Sequence, residues 1–147
     1  MERIMEHLGP FEMKADPSIC TSLFLEKEEK ILLGLRHYKL DKFKDVSLWT
    51  TPGGRCNKEE KIGENLIRET VEETGINEIQ VRKFLGTVPG AKEGDILYVF
   101  WGNTDQEPAL MEPEKFSQWR WFSLEEVPEN FINPAALQLF RTKKQLV

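Results

Sequence analysis

At 147 residues, with 39% hydrophobic and 31% charged side chains, the chain has the make-up of one soluble globular domain. A domain of this size buries roughly 70% of the surface that its unfolded form exposes, so one core suffices. The formal net charge of -5 argues against a protein that tracks nucleic-acid backbones, which needs a basic stripe; any substrate phosphates would need local help, which a divalent cation can supply.

Cys20 and Cys56 form no CxxC pattern and have no His nearby in sequence, so they read as reduced thiols rather than zinc ligands or a disulfide. The opening MERIMEHLGP is acidic and broken by Gly-Pro, unlike a secretion signal. The longest apolar run, Ile96 to Trp101, is far short of the ~20 residues that span a bilayer. A cytoplasmic protein without a membrane partner is the expectation, with monomer and homodimer both open.

Ser18 to Leu25 and Lys30 to Arg36 are β-prone runs separated by polar Glu26 to Glu29, a pair of neighbouring strands. Tyr38 to Ser47 is charged and reads as a loop. Leu48 to Thr51 is a short strand stopped by Pro52-Gly53-Gly54. A helix over Ile62 to Thr74 ends at Gly75. Strands follow at Ile79 to Val88, Asp95 to Trp101 and Trp119 to Phe122. Ser123 with Glu126 has the spacing of a capping box. Asn133 to Lys144 suits a C-terminal helix with Pro134 in its first turn. The sum is a single mixed α/β domain over residues 1–147.

Residues of the first helix, placed at ~100° intervals, put Glu69, Glu72 and Glu73 on one face and Ile67, Thr70, Val71 and Thr74 opposite. Gly63 falls on the packing side, where a missing side chain allows close approach at a helix-propensity cost of about 1 kcal/mol. The plainest reading of such glutamates is a solvated acidic face. Against it, Glu69 and Glu73 are an i, i+4 like-charge pair, and no Lys or Arg occurs from Glu69 through Gln80. Oxygen ligands in this number suit a hard ion, Mg²⁺ or Mn²⁺.

The wider pattern is Gly54, five residues, Glu60, seven residues, then Arg68-Glu69-Thr70-Val71-Glu72-Glu73-Thr74-Gly75-Ile76. It resembles the Nudix box, G-x5-E-x7-R-E-U-x-E-E-x-G-U, where U is bulky and apolar. Every charged and glycine position matches. Thr70 departs by putting a hydroxyl where the family prefers an aliphatic side chain, and Asn57 stands where many relatives have Glu. The flanks also resemble the family: Pro52-Gly53, a strand ending in Arg36, and Trp119-Arg120-Trp121-Phe122 followed by Ser-Leu-Glu-Glu-Val-Pro.

The resemblance implies a Nudix-type α/β/α sandwich with a mixed β-sheet and a loop-helix-loop catalytic motif over residues 54–76. It implies Mg²⁺, with Mn²⁺ as the other option, held by Glu69, Glu72, Glu73 and the Gly53 carbonyl, while Arg68 holds and orients a catalytic glutamate and Glu60 pairs with Arg68. Glu69 is the first candidate for general base, with Glu112 and Glu114 as downstream alternatives and additional metal ligands. Each of these two also reads as a loop charge. Arg36 is placed to contact phosphate or is an ordinary surface Arg. Trp119 or Phe11 would stack on a base, unless both are core. Asn133 would bond a base edge or only cap its helix.

The implied reaction is hydrolysis of a nucleoside triphosphate to monophosphate and pyrophosphate, as in members of the MutT-like group that remove oxidised or unusual nucleotides. Shortness and the EPEKFSQWRWF segment favour it, and no NADH-pyrophosphatase or coenzyme A motif is present. Pro89 lies slightly too near the box for the usual ADP-ribose signature, and Tyr98 slightly too far for the dinucleoside polyphosphate one. A dinucleoside polyphosphate, ADP-ribose or capped-RNA hydrolase, or a catalytically silent nucleotide sensor, stand as alternatives.

Overall fold

The computed structural model describes residues 7–39 and 45–145. Its strands are β1 (Ile19–Lys27), β2 (Lys30–Lys39), β3 (Asp45–Thr50), β4 (Gln80–Pro89), β5 (Ile96–Asn103) and β6 (Phe116–Phe122). Its helices are α1 (Ile62–Thr74) and α2 (Pro134–Gln145), with 3₁₀ turns at Gly9–Glu12 and Leu124–Glu126.

All six strands form one mixed sheet. β1 is apolar on both faces and lies at its centre, parallel to β5 from Ile19↔Ile96 to Glu26↔Asn103. β4 pairs antiparallel with β5, and β3 and β6 each pair antiparallel with β2. β1 and β2 meet only at their hairpin end, where Glu26 opposes Ile31 and Lys27 opposes Lys30.

Alternation along β1 sends Leu23 and Leu25 to one face and Phe24 to the other, giving two cores. The first holds Ile62 and Leu66 of α1 with Leu32 and Phe100. The second holds Ala136 and Phe140 of α2 with Phe24, Leu33 and Val99. The order is helix, sheet, helix, an α/β/α arrangement.

α1 has the predicted bounds, and Gly75 closes it in the left-handed region at φ 74, its N–H bonding the Val71 carbonyl. A side chain at Gly63 would start 2.3 Å from the Phe11 ring. Thr70 is fully buried, and its hydroxyl donates to the Leu66 carbonyl at 2.8 Å, so the departure from an aliphatic residue leaves no unsatisfied polar group.

Two local expectations change. Much of the segment expected to be a loop at Tyr38 to Ser47 is strand: Tyr38 opposes Val46 and His37 opposes Ser47, while 40–44 lie outside the described residues. Ladder bonds hold this backbone extended whatever its side-chain polarity, and the polar pattern is that of a strand near the sheet margin. Ser123 and Glu126 do not open an α-helix but flank a 3₁₀ turn, joined side chain to side chain at 2.7 Å.

Candidate active site

The chain leaving β3 runs along the edge of β1 that β2 vacates. Leu23 N–H bonds the Pro52 carbonyl at 2.9 Å, Thr21 N–H the Gly54 carbonyl at 3.0 Å, and Cys56 N–H the Ile19 carbonyl at 2.9 Å. Gly53 adopts φ +138 in this segment, and a Cβ there would sit 2.1 Å from the Thr21 carbonyl oxygen. At Gly54 a Cβ would lie 2.6 Å from the Glu69 carboxyl carbon. The two glycines let the loop close over the carboxylate face of α1.

Asn65 fixes the other side of that closure. Its amide oxygen accepts from the Thr21 hydroxyl at 2.5 Å, and its nitrogen donates to the Arg55 carbonyl at 3.0 Å and to Glu60 at 3.3 Å. Sequence reasoning passed over Asn65, although an Asn inside a helix on its packing side is itself a signal, since such residues favour caps and turns.

The carboxylates are not one exposed row. Glu73 is buried at 3% exposure, with Oε1 accepting the Gly53 N–H at 3.1 Å and Oε2 4.0 Å from Arg36. Burial pushes its carboxyl up to about 8, the Gly53 N–H opposing and the charge of Glu69 reinforcing the rise. Burial also raises Glu69, with Arg68 acting against it.

Arg68 donates to both Glu60 oxygens at 2.7 and 3.1 Å, to Glu69 at 3.3 Å and to Glu72 at 3.0 Å. The Arg68 bonds hold Glu60 below the usual carboxylate range. The absence of Lys and Arg beyond Glu69 is thus answered from the residue just before it, and Glu72 is exposed and turned to that guanidinium. Among the described residues no three His, Cys, Asp or Glu side chains converge as a ready metal cage. What the fold does assemble is a crowded pair, Glu69 and Glu73, both held above their ordinary range. Two carboxylates raised chiefly by burial, on one helix face, fit a divalent cation.

Of the two downstream carboxylates, Glu112 is partly buried at 22% exposure, and its charge adds to the rise at Glu69 and Glu73. Glu114 is exposed on the turn before β6.

Beside the Gly53–Gly54 loop opens a cavity of about 410 Å³ on the α2 side of the sheet, lined by Cys20, Ser22, Leu97, Phe131 and Ala136. Arg36 and Glu73 stand at one part of its wall, Arg55 and Asp95 at another. Asn133 lines it too, with its amide engaged at both ends: Oδ1 accepts the Ala136 N–H and Nδ2 donates to the Pro89 carbonyl, each at 3.1 Å. The helix cap is real.

Phe11 and Trp119, the expected stacking aromatics, are not among the lining residues. Phe11 packs edge-on against Phe100 and over Gly63. Trp119 lies flat over Gly34, three ring carbons 2.8 Å from where a Cβ would be, and against Phe116. Both pack, partly buried, against the α1-side core.

Comparison with known proteins agrees with this arrangement. The family model of the NUDIX domain matches residues 16–142. The chain belongs to the Nudix family. A Bacillus subtilis (strain 168) protein named "Putative 8-oxo-dGTP diphosphatase" is 31% identical over 106 residues, 72% of this chain and 66% of that protein, a little under two thirds of the relative's length. Among solved structures, the MutT NUDIX hydrolase from Burkholderia pseudomallei superposes with a TM-score of 0.66 at 22% identity, covering 86% of this chain and 98% of that one. A C. elegans Ap4A hydrolase gives 0.69 at 18% identity, covering 88% and 98%. At these identities the two structures show a shared Nudix fold, and the family is one of hydrolases. No helix among the described residues is long and apolar enough to cross a membrane.

Proposed function

We propose that this Nudix domain hydrolyses a diphosphate linkage in a nucleotide, converting a (deoxy)nucleoside triphosphate to monophosphate and pyrophosphate, with oxidised or non-canonical nucleotides as its class of substrate. The observation that carries the reading is the placement of Glu73. It is the box carboxylate that lines the cavity, buried and lifted to about 8, beside Arg36 and the Gly53–Gly54 loop. A nucleoside in the cavity would present its phosphates to this wall. The apolar floor suits a base, and Arg36 supplies a cation for the phosphate chain. The name of the Bacillus relative supports the choice of oxidised triphosphates.

Glu69, Glu72, Glu73 and the Gly53 carbonyl would hold Mg²⁺, which neutralises phosphate charge and lowers the pKa of a bound water. The chain's own contribution is positioning. Arg68 is fixed by two bonds to Glu60 and in turn sets Glu69 and Glu72. Glu69, partly buried with a raised affinity for protons, is suited to accept the proton of the attacking water, with Glu112 as the nearby alternative.

A coupled phosphate-release assay across canonical and oxidised nucleoside triphosphates, ADP-ribose and dinucleoside polyphosphates tests the reading. Mg²⁺-dependent turnover of a triphosphate to monophosphate supports it. Turnover confined to ADP-ribose or dinucleoside polyphosphates overturns the substrate class, and no turnover of any overturns the activity. Glu73→Gln is expected to abolish turnover with the fold retained.

A further inference from the structure

The outer wall of the cavity is the β4–β5 connection, residues 89–95, and side-chain bonds fasten it to the rest of the molecule at two points. At its start the Pro89 carbonyl accepts from Asn133 of the α2 cap. At its end Asp95 accepts two bonds from Arg55, at 3.0 and 2.6 Å. Between these points the wall has only its own turn, with Gly90 N–H on the Asp95 carbonyl at 2.9 Å and Asp95 N–H on the Lys92 carbonyl at 3.0 Å. Ala91 to Gly94 are exposed.

Arg55 is well placed to act as the anchor. It follows Gly54 directly, its backbone bridges to Cys20 of β1, and its guanidinium also bonds the Pro17 carbonyl. The Asp95 side chain is 9% exposed, against 41% for Arg55, and a Cβ at Gly90 would come within 2.7 Å of the Asp95 Cβ. The wall is therefore drawn closely onto Asp95. Both residues line the cavity, and neither hydrogen-bonds to Glu69, Glu72 or Glu73.

We propose that Arg55 and Asp95 are positioning residues that fix the outer wall of the cavity to the box loop, and so set how tightly and how selectively the nucleoside is held. The inference rests on the reading that this cavity takes the nucleoside. Bidentate charge-assisted pairs of this kind have the geometric rigidity for the task. Their loss frees the wall without touching the carboxylates, so ground-state binding weakens while turnover at saturation persists.

The test uses the full chain with Arg55→Met, Asp95→Asn, the double variant and Arg55→Lys. KM and kcat are measured with Mg²⁺ on purine and pyrimidine triphosphates, and binding of the same nucleotides is titrated in EDTA. Each single variant is expected to raise KM about tenfold, with kcat within about twofold of wild type and the purine-to-pyrimidine ratio of kcat/KM moving towards one. The double variant should match either single, because both remove one tether. Arg55→Lys, which keeps the charge and a single bond, should fall between and gives the answer if Arg55→Met fails to fold.

Unchanged KM in the single variants, additive effects in the double, or a fall in kcat at constant KM overturns the proposal. Wild-type turnover with unchanged variants sinks the tether and spares the proposed reaction. Nucleotide binding that weakens in the variants, in a wild type without turnover, does the reverse. Neither turnover with Mg²⁺ nor nucleotide binding by wild type overturns both.

Discussion

Replacing Glu73 by Gln should make the metal-free protein more stable while destroying its activity. The carboxyl sits at 3% exposure with a proton affinity moved from the ordinary 4.5 to about 8. Because the folded state binds this proton more tightly than the unfolded state, its stabilising effect is full below about pH 4.5 and is lost as pH rises through 8. The interval between those two values corresponds to ~5 kcal/mol, of which local relaxation towards water recovers a share, leaving about 3 kcal/mol. Gln keeps an oxygen to accept the Gly53 N–H and does not titrate. Urea unfolding in EDTA from pH 4 to pH 9 should therefore show wild type losing about 3 kcal/mol relative to Glu73→Gln. Excess Mg²⁺ should restore the wild type alone, by mass action. Parallel pH profiles for the two proteins in EDTA would refute the reasoning.

Gly53→Ala places a methyl 2.1 Å from the Thr21 carbonyl at φ +138 and should cost about 3 kcal/mol or more in urea unfolding, with loss of turnover. Gly63→Ala gains about 1 kcal/mol of helix propensity, yet overpacks against Phe11 at 2.3 Å and should be destabilising by about 1–2 kcal/mol net; Phe11→Leu in the same background should recover part of that loss. Burial pushes the Cys56 thiol up to about 12, so iodoacetamide at pH 8 should label Cys56 only on unfolding, as read by mass spectrometry; rapid native labelling would contradict its burial.

The box was legible because its information is local: charges at fixed spacing on a helix whose bounds are marked by periodicity and by Gly75. Arg68 and Glu60 meet as the resemblance implied, since only seven residues lie between them, across one loop and turn. The burial of Glu73 was not legible. A helical wheel places it with Glu69 and Glu72, and only the return of residues 52–54 along β1 covers it. The packing of Phe11 and Trp119 was no more legible, as an aromatic side chain carries no mark that separates a stacking platform from core filling. Arg55 and Asp95 gave no signal at all, being 40 residues apart and joined only by the folded sheet.

Under the proposed function, the two faces of that sheet also divide the labour of the molecule. The groups assigned to bond cleavage stand on α1, clamped by Arg68 and Asn65. The cavity takes its floor from the α2 side, through Cys20, Ser22 and Leu97, which alternate with the α1-facing residues of the same strands. The halves meet where Gly53 and Gly54 let Glu73 reach the cavity wall. A change of floor or rim can therefore alter what is read without disturbing what cuts, and a fixed cutter with an exchangeable reading head follows from the alternation of a β-strand.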